Sequence, residues 1–377
     1  MIVQAGLVID LGNSGTRVKL ILNKKSELLE MSNKFAELAK GYEVPEVYED
    51  SETSLIEVGG IRFANGELAD KEFSASLLRP SALQPKVELV TTQLSLNLIF
   101  AKALERISVH TATKLSDIDA TFKVTILLPP LEQDVKKEVM KEKVKEISKV
   151  VMHLPISMSM DFKVSDVLVI PEGVAAYFGA LFREVDGKLE IVPDNAIYQT
   201  GYVLIVDIGA GTTDVAIIRD GKLIEDSKDT FKKGGNSIES SVRNEIKKKY
   251  GYSPRDLGAV ICRCELDENG TINRIPDLVN VAKSRFSRSL MEDIKQYLER
   301  MMIDMKEIKG TLIVGGGTLE SETVDENQKP LSPALADELN AYFKELAPNI
   351  KAVSTDGKNK RLLNIEGAEI VHKHMSN

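Results

Sequence analysis

Tryptophan is absent, cysteine occurs twice, histidine four times, and aromatic residues make up only 5% of the chain. So little cysteine excludes a disulfide-stapled scaffold. Cys262 and Cys264 form one Cys-x-Cys pair, without the second pair or suitably spaced histidines that a zinc site needs. His372 and His374 fall near the C-terminus, and no His-Glu-x-x-His stretch is present. Positive charge is also lacking. At a net −8, nothing in the composition calls for direct binding of nucleic acid. The one basic run, Lys247-Lys248-Lys249, falls at an expected helix end, where lysine complements the dipole. No apolar run approaches the roughly 20 residues of a membrane span. The opening MIVQAGLVIDLG has no basic segment and meets Asp10 early, so no secretory leader is expected. A reducing, cytoplasmic setting fits these absences.

What is present is ordinary globular material, 43% hydrophobic and 28% charged, and 377 residues suit two domains better than one core. Two stretches share one plan: LVIDLGNSGTRVKLI at 7 to 21 and LIVDIGAGTTDVAII at 204 to 218. With Asp10 set over Asp207, Leu7/Leu204, Gly12/Gly209, Thr16/Thr213, Val18/Val215 and Ile21/Ile218 also coincide. Each copy reads as a β-hairpin, and the half-chain spacing predicts two related domains.

After the first hairpin, residues 23 to 90 read as a small inserted subdomain, with Gly59-Gly60 as a two-residue turn. Residues 94 to 107 have helical periodicity, and 122 to 129 read as a buried strand. A helix is expected over 132 to 151, with Val135, Val139, Val144, Ile147 and Val151 on one face. Residues 164 to 182 read as strand, Pro-Glu-Gly turn and helix. In the second half, Lys233-Gly234-Gly235 leads to a helix capped by Asn236 or Ser237, with Ile238, Val242 and Ile246 as its apolar stripe. Residues 289 to 303 form another amphipathic helix, 310 to 321 a strand, triple glycine and helix start, and 364 to 375 a turn and helix.

A glycine-rich turn between strands lets backbone N–H groups converge on one point, a nest suited to phosphate oxygens, with Ser or Thr hydroxyls adding donors. A tight turn needing positive φ explains either copy alone equally well. The aspartates favour the phosphate reading. A carboxylate beside a phosphate nest is repelled unless a cation lies between, so Asp10 and Asp207 suggest Mg²⁺ held partly through water. Gly315-Gly316-Gly317 is either a plain strand-to-helix turn or a surface that another group approaches closely. No P-loop motif is present.

The order of these motifs resembles that of the actin superfamily, which includes actin, bacterial actin-like proteins, seventy-kilodalton heat-shock ATPases and sugar kinases. The resemblance spans nearly the whole chain. It implies an α/β fold of two ribonuclease-H-like (actin-like ATPase) domains facing each other across a nucleotide cleft. Domain I would take residues 1–184 with the insert at about 23–90, completed by 361–377, and domain II residues 185–360. It further implies that Asp10, Gly12, Asn13, Ser14, Gly15 and Thr16 form the first phosphate motif. Lys19 either reaches the phosphates or is a solvated strand lysine. Asp207, Gly209, Ala210, Gly211, Thr212 and Thr213 form the second motif, followed by Asp214, which is functional or structural. Gly315, Gly316, Gly317 and Thr318 match the adenosine motif. Glu172 matches the hinge residue that orients the attacking water, Asp10 and Asp207 the carboxylates that act with Mg²⁺, and Gly367 lies near the second hinge. Lys247 or Lys248 either rims the adenine pocket or is plain surface.

Within that superfamily, the segment QLSLNLIFAKAL, the strand FKVTILLPPLE, the second hairpin and the tail LLNIEGAEI are most similar to plasmid-segregation actins of the ParM type. That likeness implies an Mg²⁺-dependent ATPase, with ATP as nucleotide and GTP as an alternative. It implies head-to-tail filaments and an adaptor of the ParR type on centromere-like DNA, with no direct contact to nucleic acid or membrane. No substrate domain follows as in a heat-shock chaperone, no sugar pocket is recognisable, and no hydrophobic anchor of the cell-shape type opens the chain. A non-polymerising ATPase switch and a small-molecule kinase are the alternatives.

Overall fold

A computed structural model describes residues 1–12, 15–49, 51–81, 84–254, 256–268, 271–316 and 321–374. The chain divides into two units, Met1–Ala175 with Ile365–Asn377, and Ala176–Asn364. Each is built around one of the β-branched hairpins.

In the first unit, strand Ile2–Leu11 lies at the centre of a five-stranded sheet. Asp119–Leu128 runs parallel beside it and Lys163–Pro171 parallel beyond that. On the other side come Thr16–Leu22 and Lys25–Met31, both antiparallel. Alternation sorts the central strand's residues onto two faces. Leu7, Ile9 and Leu11 join the core with Leu94, Leu98 and Ile99 of helix Val90–Thr111. Gly6, Val8 and Asp10 face the other way. There the C-terminal helix Leu363–His374 docks, and a side chain at Gly6 would meet His372 Nε2 at 2.5 Å. Only glycine admits that approach.

A second sheet has the order Phe35–Glu37, Ile61–Gly66, Thr53–Val58, Lys149–Leu154, Met158–Asp161. Gly59 and Gly60, with φ of +61° and +79°, turn the hairpin between Val58 and Ile61. The expected insert is thus redrawn. Lys25–Met31 belongs to the main sheet, and the small sheet recruits two strands from beyond residue 148.

Those strands also correct the helix expected over 132 to 151, which is Pro130–Glu146. It buries Met140 and Val144, while Val135 and Val139 are 76% and 47% exposed. At about 100° per residue, positions 135 and 144 lie half a turn apart and could never share a face. Val151 is in a strand.

In the second unit, Tyr202–Ile208 pairs antiparallel with Thr213–Arg219 and parallel with Ile308–Val314. Helices Gly235–Tyr250, Pro276–Arg300 and Leu335–Leu346 supply the apolar residues packed with this sheet. Ile238, Val242 and Ile246 are buried as the stripe predicts. The cap is different: neither Asn236 nor Ser237 caps the helix by its side chain, and Gly234 holds the cap position. Among the described residues no helix is long and apolar enough to cross a membrane.

Candidate functional site

Asp10, next to last in its strand, is buried directly opposite Arg17. Arg17 Nη1 lies 3.5 Å from Asp10 Oδ2, and Arg17 Nε donates to Glu30 Oε1 at 3.1 Å. The first carboxylate therefore has a cation beside it in the fold itself. Gly12 is required by sterics, since a Cβ there would meet Gly15 O at 2.8 Å. Its carbonyl accepts from Asn33 Nδ2. Asn13 and Ser14 lie outside the described residues. Thr16 is buried, and its Oγ1 has no hydrogen-bond partner among the described residues. Lys19 pairs with Glu369 of the C-terminal helix at 2.5 Å. Its charge holds that helix to the sheet, a role that neither reading of Lys19 anticipated. Burial by itself would raise the Glu369 carboxyl, but hydrogen bonds and charge from Lys19, joined by Lys373, hold it below the usual carboxylate range.

The second turn repeats the plan with opposite electrostatics. Asp207 and Asp214 are direct cross-strand partners, both buried. Asn364 Nδ2 donates to Asp207 Oδ2 at 2.6 Å, and Thr230 Oγ1 to Asp214 Oδ1 at 2.5 Å. Position 214 repeats position 17, so a guanidinium in one turn is replaced by a carboxylate in the other. Gly209 N–H closes the turn on Thr212 O at 2.9 Å. The carbonyls of Gly209 and Ala210 accept from the N–H groups of Gly235 and Asn236 at 2.9 and 2.7 Å, so the turn seats on the start of helix Gly235–Tyr250. A Cβ at Gly234 would meet Gly209 O at 2.6 Å, the reason for glycine there. Thr213 Oγ1 donates to Lys233 O at 2.8 Å. Gly211 lies in the turn between the paired strands.

Gly315 follows strand Ile308–Val314 at a φ of +100°. Its missing side chain would sit 2.5 Å from Asp207 Oδ1 and 2.4 Å from Ile208 O. The group that approaches this glycine closely is thus the chain's own aspartate. Gly316 is the more open one, with nothing among the described residues beyond its chain neighbours within 4 Å of a Cβ there. Gly317 and Thr318 lie outside the described residues.

Glu172 follows strand Lys163–Pro171, its N–H bonded to Leu128 O at 2.8 Å. Its carboxylate is in an ion pair with Lys86, both side chains nearly buried. Gly367 is inside helix Leu363–His374 rather than in a turn, and Lys247 and Lys248 are exposed near the end of Gly235–Tyr250.

Sequence reasoning missed Arg17, Asn33 and Lys86, and read Asn364 only as part of the tail LLNIEGAEI. The repeat alignment itself points to Arg17, which stands where the second copy has Asp214. Asn33 and Lys86 carry no local signal, because each acts through a contact distant in sequence.

No group of three or more His, Cys, Asp or Glu able to hold a metal occurs among the described residues. A Mg²⁺ shared with phosphates needs only one or two carboxylates. Asp207, opposite a second acid, fits that demand better than Asp10, whose charge Arg17 already meets.

Comparison with known proteins places this geometry. The C-terminal domain of the archaeal actin homologue MreB-like family matches residues 205–326. Cell shape-determining protein Mbl of Bacillus cereus (strain ATCC 10987 / NRS 248) is 25% identical over 164 residues, covering 37% of this chain and 49% of Mbl. Mbl of Bacillus subtilis (strain 168) is 26% identical over 147 residues, 33% and 44% respectively. The chain thus spans about half the length of these relatives or less. Ta0583, an archaeal actin homologue, superposes with a TM-score of 0.70 at 16% identity, over 99% of this chain and 100% of its own. The fold is that of the actin superfamily. Bacillus thuringiensis ParM with ATP shares this actin fold at a TM-score of 0.64 and 13% identity, over 98% of each chain. Ta0583 is also known in complex with ADP, a structure that superposes at 0.66 with 16% identity, over 98% of this chain and 99% of its own.

Proposed function

We infer that this chain is an actin-like ATPase that binds Mg-ATP and assembles into dynamic filaments. The observation that carries the reading is the duplicated strand–aspartate–glycine-turn–strand unit, with both aspartates buried at strand ends. A Cβ at Gly12 would meet Gly15 O at 2.8 Å and one at Gly209 would press on Thr212 O at 3.2 Å, and glycine at such positions keeps backbone N–H groups accessible, which suits a phosphate nest. Each turn is a candidate seat for phosphate in its own unit. Asp207 would hold Mg²⁺ through water, and Asp10, charge-matched by Arg17, would position the first turn. When bound, the metal neutralises charge on the phosphates. Glu172 accepts a hydrogen bond from the attacking water and orients it. Gly316 leaves open backbone for the adenosine.

For the biological role, the structural likeness to ParM supports segregation of plasmid DNA through an adaptor, and the negative charge fits a protein that does not touch DNA itself. The match to Mbl supports a second reading, a cell-shape filament. Pelleting the filaments with anionic lipid vesicles separates the two, since only the second reading requires the filament to meet a membrane.

The deciding experiment is right-angle light scattering with Mg-ATP, on wild type and Glu172→Ala. Wild type is expected to scatter above a critical concentration and then decay as nucleotide is consumed. Glu172→Ala is expected to scatter and persist. Absence of scattering from both, with ATP demonstrably bound, would replace the filament by a monomeric switch.

A further inference from the structure

The lysine paired with Glu172 is held with unusual care. It begins a three-residue 3-10 turn, Lys86–Glu88, a structure with little stability of its own. Two helices hold that turn. Glu132, in the first turn of Pro130–Glu146, accepts from Lys86 N–H at 2.9 Å with Oε2 and from Val87 N–H at 2.7 Å with Oε1. Lys143 Nζ, from the same helix, donates to Val87 O at 2.6 Å. Thr92 Oγ1, from Val90–Thr111, donates to Lys86 O at 2.5 Å. Both charges of Glu132 and Lys143 are thus engaged with backbone of the turn. The Lys86 stem is buried, which an ammonium tolerates only with a charged or strongly hydrogen-bonding partner. Glu172 Oε1 is such a partner. The far end is equally fixed, because Glu172 donates its N–H to Leu128 O and its carbonyl accepts from Val174 N–H at 2.7 Å.

Lys86 also lines a cavity of about 10 Å³ together with Gly12, Thr16 and Asn33. Thr16 Oγ1 and Asn33 Oδ1 are buried there without hydrogen-bond partners among the described residues. The space and the polar lining suit one water. Within the first unit, Lys86 therefore stands between the first glycine turn and Glu172.

We propose that Lys86 is a positioning residue for Glu172, holding that carboxylate ionised and in one place for the hydrolysis assigned to it. The inference rests on that assignment. An opposite charge in contact favours the ionised form, so the pair keeps Glu172 a carboxylate further into acid than it would be alone.

The test is an NMR titration of the full chain carrying ¹³C at the glutamate carboxyl carbon, with the Glu172 signal assigned by its loss in Glu172→Gln. In Lys86→Met the Glu172 midpoint is expected to rise by about one pH unit or more, and in Lys86→Arg to stay within about 0.3 of wild type. The acid limb of ATP turnover should move up with it in Lys86→Met. A midpoint unmoved in Lys86→Met, or moved equally in Lys86→Arg, overturns the proposal. If Lys86→Met does not fold, Glu132→Gln carries the test. It loosens the turn while keeping both charges of the pair, and losing the Glu132 charge would by itself lower the Glu172 midpoint. A rise there supports the positioning role, and no rise overturns it. Failure of the functional reading is seen separately. If Glu172→Gln turns over ATP like wild type, the positioning role falls with the function and the pair is structural. If Glu172→Gln is inactive but its titration ignores Lys86, the function stands and this inference fails.

Discussion

Two neighbouring glycines show how much a single position can be asked to do. Gly315 combines a positive φ with a Cβ position 2.5 Å from Asp207 Oδ1, whereas no described residue beyond its chain neighbours lies within 4 Å of a Cβ at Gly316. Gly315→Ala should cost about 1–3 kcal/mol from backbone strain, with the clash added, measured by urea unfolding. Gly316→Ala should leave unfolding within about 0.5 kcal/mol of wild type yet weaken nucleotide binding in a fluorescent-ATP titration. The sequence shows both as glycine and cannot rank them, because the difference lies in what sits opposite. The aspartates have the same character. Their alignment in the repeat is legible, but the partner of each is cross-strand, and only pairing reveals Arg17 beside Asp10 and Asp214 beside Asp207. Removing Arg17 leaves Asp10 buried without its guanidinium. Arg17→Met should therefore destabilise by about 3 kcal/mol in the same unfolding assay, and Asp10→Asn by less.

The attachment of the C-terminal helix Leu363–His374 is sensitive to pH. Its His372 is buried against Gly6 and bonded through Nδ1 to Thr125 Oγ1 at 2.8 Å. Burial, with Lys123 nearby, pushes the imidazole down to about 4 from its usual 6.5. The unfolded chain thus takes up a proton between about pH 6.5 and 4 that the folded chain refuses. The resulting stability is fully present above pH 6.5 and declines as the pH falls toward 4. Unfolding at pH 5 should need about 2 kcal/mol less than at pH 7 from this group, and His372→Gln should flatten that slope whatever it does to stability at pH 7. A turn and helix over 364 to 375 and the two hairpins were legible in the sequence, and periodicity made the stripe Ile238–Val242–Ile246 readable. It failed for helix Pro130–Glu146, where valines half a turn apart were set on one face and the next strand was absorbed into the helix. Apolar spacing indicates that an element has a buried side. Which side is buried, and where the element stops, depends on what it packs against.

At the scale of the whole molecule, the proposed filament makes turnover a collective property. If assembly completes the hydrolytic arrangement, ATP turnover per molecule should rise with protein concentration and level off above the critical concentration for scattering. A rate per molecule independent of concentration would favour the monomeric switch. The sequence by itself determined the class of answer: an α/β chain with a duplicated aspartate–glycine hairpin, because β-branched runs, turn glycines and an acid at a strand end are local signals that need no fold to be read. Only the tertiary structure decided which charges answer those acids, which glycine is sterically obligatory, that Lys19 is bound to the C-terminal helix, and that Lys86 is held against Glu172. The reason is one of range. Hydrogen bonds and ion pairs act across a few ångströms of space, and the residues that make these contacts, such as Lys19 with Glu369 or Lys86 with Glu172, lie far apart along the chain.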